Sequence, residues 1–210
     1  MRHRKKGRVL GRSPSHRVAL LRNLTAALFL TEREVPLAAL GFSNARKKGV
    51  VERGVTPDDN EPKVKGRIVT TLEKAKEVRP LVERCITMAK HGLLAEEQAR
   101  PFATTAARNS DAWKKWREGD EWTKWNQAIA PLLNARRRVL AILRDKQAVR
   151  VLFETIAPRF TDRPGGYTRI MRLAKPRLGD NGTRAILEFV GVRDRVTQRS
   201  QAPKIEAGAT

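Results

Sequence analysis

The first 22 residues carry the most chemically specific pattern in this sequence, eight basic side chains without a single acid. Lysine and arginine bind phosphate oxygens, and arginine can do so through two parallel hydrogen bonds. A segment with this much charge and so few apolar residues cannot fold alone. We therefore predict an extended basic arm, residues 1–14, that binds a polyanion together with the turns that follow it. The expected contacts are Arg2, His3, Arg4, Lys5, Lys6, Arg8, Arg12, His16, Arg17 and Arg22.

An amphipathic helix is predicted to anchor this arm to a folded body. Apolar residues recur at helical spacing from Val18 to Leu28, and Ser13 or Ser15 is placed to cap the first turn. A basic start before an apolar stretch is also typical of a secretory signal peptide, and an arginine-rich, acid-poor start is typical of an organellar transit peptide. Because Arg22 interrupts the apolar stretch and the chain stays basic beyond it, we favour an arm that belongs to the working protein.

A second basic cluster surrounds a pair of glycines nearer the C-terminus. Gly165 and Gly166 lack a Cβ, which lets a backbone approach a phosphate or a base closely. The adjacent tyrosine is expected to stack on a base or to donate through its hydroxyl. A third cluster, residues 134–153, holds six basic side chains and one acid, and three such clusters are poorly explained as solvated surface alone. The expected contacts in the second cluster are Arg163, Tyr167, Arg169, Arg172, Lys175 and Arg177.

Composition narrows the class of partner. The chain has 210 residues, enough for one domain with a core, and 44 Lys and Arg against 22 Asp and Glu give a net charge of +22. A charge of that size favours a polyanion, with nucleic acid first and an anionic membrane surface second. No stretch approaches the roughly 20 apolar residues of a membrane span. The single cysteine, Cys85, suits a reducing compartment and is expected in the core.

No catalytic pattern is present in the sequence. The three histidines have no metal-ligand spacing, and one cysteine cannot build a zinc site. The segment Arg163–Tyr167 lacks the lysine of a phosphate-binding loop and the serine or threonine hydroxyl that would bind metal and phosphate. The carboxylates are scattered among basic residues, so ion pairing explains their positions more simply than a catalytic role does. We therefore expect no enzymatic activity, no metal and no cofactor.

The remaining pattern mixes helices with a few strands. A β-branched run predicts a strand at Arg67–Thr71. A helix is predicted to follow at Leu72–Lys90, with Thr71 as its cap, Pro80 kinking or dividing it and His91-Gly92 ending it. The expected core face of this helix is Ala75, Val78, Val82, Cys85, Ile86 and Ala89. Residues 32–66 are predicted as a surface excursion with a short helix near 36–48. A further helix over 147–156 should stop at Pro158. A closing hairpin should pair residues 167–173 with 184–190 through a turn at 179–182.

Four tryptophans lie between residues 111 and 125 at helical spacing, which predicts a helix or a helical hairpin broken near Gly119. The simpler interpretation is that this aromatic face packs on the body or closes a cluster of its own. The alternative is stacking on exposed bases, helped by Lys114, Lys115 and Lys124, although neighbouring acids argue against it. The tryptophans are Trp113, Trp116, Trp122 and Trp125.

Six blocks of this sequence form a distinctive series along about two thirds of the chain. They are the opening Met-Arg-His-Arg-Lys-Lys-Gly-Arg, Ser15-His16-Arg17 with Leu21-Arg22-Asn23, Thr70-Thr71 with Lys74-Ala75-Lys76-Glu77, Ile86-Thr87 with Ala89-Lys90, Pro158 to Ile170, and Gly179-Asp180-Asn181 with Glu188-Phe189-Val190. In this order and register, the six blocks together closely resemble the family of bacterial ribosomal large-subunit protein seventeen. Any one block alone would be a weak match, but the order and spacing of all six make the resemblance specific.

The resemblance implies an α+β fold, a small mixed β-sheet packed against several helices with an extended basic N-terminal arm. It implies one domain over residues 1–197, with insertions at 32–66 and 94–131, and we expect a disordered tail at 198–210. It also implies a non-catalytic, monomeric constituent of the large ribosomal subunit in the cytoplasm. The implied partners are large-subunit rRNA, through the arm and the Arg163–Arg177 segment, and neighbouring ribosomal proteins.

Two other functions are left open by the residues themselves. A free RNA-binding or RNA-chaperone protein would use the same basic clusters, and a basic amphipathic helix could instead bind a membrane surface. RNA is favoured over DNA because no helix-turn-helix or zinc-finger pattern is visible. Basic arms that fold on contact also suit the phosphate-dense crevices of compact RNA.

Overall fold

The computed structural model describes residues 7–33 and 64–191. Helices and a small sheet alternate within these ranges, so the predicted α+β class is confirmed. The elements are α1 (Pro14–Leu30), β1 (Arg67–Thr71), α2 (Leu72–Ala99), a 3-10 turn (Arg100–Phe102), α3 (Asp111–Glu118), α4 (Asp120–Leu143), α5 (Lys146–Val151), a π-type turn (Leu152–Ile156), α6 (Ala157–Arg159), β2 (Thr168–Arg172) and β3 (Arg184–Phe189).

The sheet has three strands in the order β1-β3-β2, with β3 in the centre. Both pairings are antiparallel, so the sheet is antiparallel throughout the described residues rather than mixed. Ile68, Leu187 and Ile170 lie side by side in register and face the helices as part of the hydrophobic core. The predicted strand at Arg67–Thr71 and the predicted closing hairpin are both confirmed.

Helix α2 is the element on which the core is built, because α4, α1 and the sheet all pack against it. Its predicted core stripe is confirmed, since all six residues are fully buried. Burial raises the pKa of the Cys85 thiol to about 12, so Cys85 is a neutral core residue at physiological pH. The stripe consists of Ala75, Val78, Val82, Cys85, Ile86 and Ala89.

One prediction about α2 is wrong, because the helix does not end at His91-Gly92 but continues to Ala99. The helix is also continuous through Pro80, so of the predicted kink or division only the division is excluded. Gly92 is buried where α2 meets α4, and a Cβ built there would lie 3.1 Å from the Cβ of Ala135 and 3.2 Å from a methyl of Leu132. This glycine therefore permits a close approach of two helices and does not terminate one.

The other helix ends also differ in detail from expectation. Ser13 is the N-cap residue of α1, but its hydroxyl accepts no backbone hydrogen bond, and neither does that of Thr71 at the start of α2. α5 instead has a side-chain cap, in which Asp145 accepts from two backbone N–H groups at 2.8 and 3.1 Å. The helical turns continue through Pro158 and end one residue later, at Arg159, so the predicted stop lies close to the observed end.

Several predictions lie outside the described residues. These are the short helix near 36–48, most of the 32–66 excursion and the tail at 198–210. Within the described ranges, no helix is both long and apolar enough to cross a membrane. No group of histidine, cysteine and carboxylate side chains in those ranges could hold a metal ion.

The two ends of the 32–66 excursion are joined by buried hydrogen bonds. The Gly66 N–H donates to the Thr31 hydroxyl at 3.0 Å. Glu32 is buried and accepts both guanidinium N–H groups of Arg159, each at 3.0 Å. The chain therefore leaves and re-enters the core at one point, beside α6 and the start of β1.

Gly66 generates the first testable prediction. Its φ is +75°, and a Cβ would lie 2.7 Å from a carboxylate oxygen of Glu32. Gly66→Ala should therefore destabilise the protein by about 1–3 kcal/mol, through left-handed strain and displacement of the Glu32 carboxylate. Urea unfolding measures the change.

The matched control is Gly165→Ala, because a Cβ there meets nothing within 4 Å. It should leave the unfolding midpoint almost unchanged. Equal stability of the two variants would contradict the account of Gly66.

Candidate nucleic-acid interface

The described part of the arm lies beside the first turns of α2. Arg8 donates to Glu77 at 3.0 Å, and Arg12 donates to the carbonyl of Leu10 at 2.9 Å. The Arg8 contact holds the arm on the surface of α2, with the Arg8 side chain about half exposed, while the Arg12 contact lies within the arm itself. Arg2, His3, Arg4, Lys5 and Lys6 lie outside the described residues, and their role stays a prediction.

The three predicted contacts on α1 follow the arm along the helix. His16 is exposed, while Arg17 and Arg22 are half-buried. Among the ion pairs found in residues 7–33 and 64–191, none involves Arg17 or Arg22. Their charges are therefore not neutralised by the described part of the protein.

The glycine loop before β2 is organised by its own arginine. The Nε–H of Arg163 donates to the carbonyls of Gly165 and Gly166, both at 3.2 Å, while Lys90 of α2 donates to the Arg163 carbonyl. Gly166 has a φ of +65°, which this tight loop requires. The Nε–H of the half-buried Arg163 is thus used to shape the loop, and the RNA contact of Arg163 stays a prediction.

The sequence predicts that Tyr167 stacks on a base or donates through its hydroxyl. Burial of the ring excludes the stacking, while an RNA contact through the hydroxyl stays a prediction. The residue is only 2% exposed, and its ring packs against Phe160 with ring centres 5.2 Å apart. Its hydroxyl accepts a hydrogen bond from the Lys90 ammonium at 3.4 Å. Tyr167 therefore secures the glycine loop to the core, because a large aromatic ring with a polar tip is well suited to a site that is apolar at one end.

Arg169 lies on the open face of the sheet, where it has a structural partner. Glu188 is opposite it in register on β3 and is only 3% exposed. Arg169 contacts one carboxylate oxygen of Glu188 at 2.5 Å, and Arg67 of β1 approaches the other at 3.3 Å. The two arginines therefore neutralise a buried carboxylate across all three strands, and the RNA contact of Arg169 stays a prediction.

The β2–β3 hairpin tip carries exposed positive charge. Arg172 and Lys175 are exposed and appear in none of the ion pairs found among the described residues. Arg177 pairs with Asp180, and this hydrogen bond, with a second from the Gly182 N–H, lowers the pKa of the Asp180 carboxyl. The pair shapes the turn, and both of its side chains are about half exposed, so the RNA contact of Arg177 stays a prediction.

The structure brings the arm and the hairpin tip to the same end of α2. The N–H of Leu72 donates to the carbonyl of Thr183 at 3.0 Å, which fixes the base of the hairpin to the first residue of α2. Glu77, which holds Arg8, is five residues further along, a rise of about 8 Å. Lys90, which holds the Arg163 loop, is about 20 Å beyond Glu77 along the helix. The predicted Arg163–Arg177 cluster is therefore divided, with only its later part beside the arm.

Leu178 at the hairpin tip was not predicted from the sequence. It is 98% exposed, the largest exposure of any apolar side chain in the described residues. In the sequence, its neighbours are a proline, an arginine, glycines and an aspartate. A leucine within such a polar turn is the sequence feature that could have identified this position. An apolar side chain held fully in water at a basic tip is suited to packing against a base or sugar of a bound nucleic acid.

Comparison with known proteins places this architecture in a family. The family model described as "Ribosomal protein L17" matches residues 64–190, which span the sheet and α2 to α6. The chain belongs to the ribosomal protein L17 family. The large ribosomal subunit protein bL17 of Rhodopirellula baltica is 61% identical over 209 residues, covering 100% of this chain and 90% of that protein. The predicted family is therefore confirmed.

More distant L17 relatives also align along nearly the whole chain. The bL17 protein of Syntrophotalea carbinolica is 33% identical and covers 90% of this chain and 75% of its own length. The bL17 protein of Allorhizobium ampelinum is 32% identical, with 99% of both chains covered. The basic arm and α1, which lie before the family-model match, are thus included in the alignments to whole relatives.

The tryptophans of this L17 protein close a cluster of their own, as the simpler interpretation predicted. The break near Gly119 is confirmed, because α3 ends at Glu118 and α4 begins at Asp120. Trp116 and Trp125 meet edge to face with ring centres 5.7 Å apart. The Trp116 indole N–H also donates to the carbonyl of Phe102 at 3.0 Å.

A cation is held between the outer rings of this cluster. The Arg117 guanidinium lies 5.0 Å from the centre of the Trp113 ring and 5.7 Å from that of Trp122. These faces are the ones that a base would need for stacking, and a cation already contacts them. The contacts therefore support packing within the protein over RNA stacking.

Replacing Trp116 tests this interpretation. Trp116→Ala should destabilise the cluster by about 1–3 kcal/mol, since it removes an edge-to-face contact and the hydrogen bond to Phe102. All four tryptophans of the chain lie in this stretch, so intrinsic fluorescence reports on it alone. The emission should shift to longer wavelength, with RNA affinity unchanged.

The control is Lys115→Ala, an exposed neighbour on the same helix. It should change neither the emission nor the stability. Loss of RNA binding in Trp116→Ala, with the fluorescence spectrum otherwise unchanged, would instead support base stacking.

Proposed function

We propose that this protein is a structural constituent of the large ribosomal subunit that binds and stabilises large-subunit rRNA, without catalysis. Its relatives are named as proteins of the large ribosomal subunit, and its charge of +22 suits a phosphate-rich partner. It would act as one copy, in the cytoplasm, beside neighbouring ribosomal proteins. Residues 1–197 would form one domain, with 32–66 and 94–131 as its insertions.

The observation that carries this proposal is the convergence of the arm and the hairpin tip at the start of α2. Arg12 on the arm, with Arg172 and Lys175 on the hairpin, supplies cationic groups that are not used in the ion pairs of the described residues. Surfaces from distant parts of the sequence are thus combined at one end of a rigid helix. Each phosphate bound there would release condensed counterions, which is the main source of affinity for RNA.

The Arg8–Glu77 ion pair at this surface can be replaced by a contact between Arg8 and a phosphate. The Arg8–Glu77 pair is exposed, and such pairs contribute about 0–1 kcal/mol. A phosphate can therefore replace Glu77 as the partner of Arg8 at little cost. The buried pair of Glu32 with Arg159 is different, since breaking it would leave a charge without a partner inside the protein.

The membrane-surface alternative is weakened by the packing of α1. Leu28 and Phe29 are fully buried in the core, and Phe29 stacks on Phe189 with ring centres 6.2 Å apart. The apolar residues in the last turns of this helix are therefore already packed within the protein, and of its apolar stripe only Val18, near the start, is exposed. The free RNA-binding or RNA-chaperone alternative uses the same surface and must be separated by experiment.

Sucrose-gradient separation of a cell lysate distinguishes these functions. A structural constituent should migrate with the large subunit, near one copy per particle, at low and at high salt. A chaperone should spread through the light fractions or be released at modest salt. Release at modest salt would overturn the proposed structural role.

A paired substitution tests the proposed surface. The double variant Arg172→Ala with Lys175→Ala should bind isolated large-subunit rRNA more weakly. Its slope of log affinity against log salt should be shallower by roughly 0.7–0.9 for each lost phosphate contact.

The matched control removes the same charge elsewhere, with Lys115→Ala and Lys124→Ala in the tryptophan stretch. It should leave the slope close to that of the unmodified protein. An equal change in both doubles would show that binding depends on net charge and not on the hairpin.

A further inference from the structure

A basic groove lies on the side of the molecule where α1 meets the junction of α4 and α5. It has a volume of about 660 Å³ and is lined by residues of all three helices. On α1 the lining residues recur at i, i+3, i+4 and i+7, so they form one face of that helix. The junction contributes the turn between the two other helices. The lining residues are Ala19, Arg22, Asn23, Ala26, Leu143, Arg144, Asp145, Lys146 and Gln147.

The groove presents three cations that the described residues leave without an ion pair. Arg22 faces it from α1, and Arg144 and Lys146 face it from the junction. The only acid in the lining is Asp145, whose carboxylate oxygen accepts the backbone N–H groups of Gln147 and Ala148. That oxygen is the cap of α5, and Asp145 appears in none of the ion pairs found among the described residues.

Arg144 has a backbone conformation that argues for a role of its side chain. It ends α4 with φ 58° and ψ 21°, in the left-handed region. Helices that end in this way usually carry glycine or asparagine there, because a Cβ is disfavoured. An arginine therefore occupies a position that the fold alone would give to a smaller residue. Its charge does face the negative end of α4, which partly offsets the strain.

We propose that this groove is a second RNA-binding site, in which Arg22, Arg144 and Lys146 hold a backbone phosphate of large-subunit rRNA. The inference rests on the proposed function and adds a site apart from the arm and the hairpin. Two guanidinium groups can each bind phosphate oxygens bidentately, and a lysine adds a compact charge. His16 lies three residues before Ala19, so the groove face of α1 leads back towards the predicted RNA-binding arm.

Substitution at position 144 separates binding from folding. Arg144→Gly removes the charge and the left-handed strain together. The urea midpoint of the free protein should stay the same or rise. Affinity for rRNA extracted from purified large subunits should fall several-fold, with a salt slope shallower by roughly 0.7–0.9. Arg144→Lys should keep the slope of the unmodified protein.

Two controls match this change. Asn109→Gly replaces another left-handed residue, with φ 70°, in the stretch before α3, and it should leave binding unchanged. Lys115→Ala removes one exposed charge at a distance and should also keep the slope.

Three results would overturn the proposal. An unchanged salt slope in Arg144→Gly would show that no phosphate is held there. A lower urea midpoint, with binding lost in proportion, would assign Arg144 to the fold. Normal rRNA binding with failed incorporation into the large subunit would identify an acidic protein neighbour as the ligand. If the unmodified protein bound rRNA no better than an unrelated RNA of equal length, the proposed function itself would fail.

Discussion

The close approach of α2 and α4 is the constraint on which the rest of the structure depends. Gly92 has no room for a Cβ, since Ala135, Leu132 and Phe153 all lie within 3.3 Å of where it would be. α2 can therefore continue to Ala99 with one side against α4 while its earlier turns support the sheet. That single rigid element sets the spacing between the glycine loop, held at Lys90, and the hairpin base, held at Leu72.

The charged side chains fall into two groups, those paired in the interior and those exposed on the surface. The buried carboxylates are matched with arginines, Glu32 with Arg159 and Glu188 with Arg67 and Arg169. Most of the remaining positive charge is exposed, where it repels itself and lowers the stability of the compact state. An RNA partner that binds only the folded protein would add to its stability by mass action. The same excess of arginine and lysine would therefore affect both the stability of the fold and its binding to RNA.

The sequence was most informative where local pattern and packing agree. β1, the start and core stripe of α2, the break at Gly119 and the closing hairpin follow from short-range periodicity and turn chemistry. The end of α2 could not be predicted, because the role of Gly92 depends on residues 40 or more positions away. The burial of the Tyr167 ring was missed because it depends on contacts with Phe160 and Lys90 that only the fold creates.

A cryo-electron microscopy structure of the large subunit containing this protein tests the central claim most directly. The account predicts that the arm and the hairpin tip, with Lys175 and Leu178, contact the same region of rRNA beside the first turns of α2. It also predicts that Tyr167 stays in the protein core. An arm that binds rRNA while the hairpin tip faces solvent or another protein would contradict the proposed common surface.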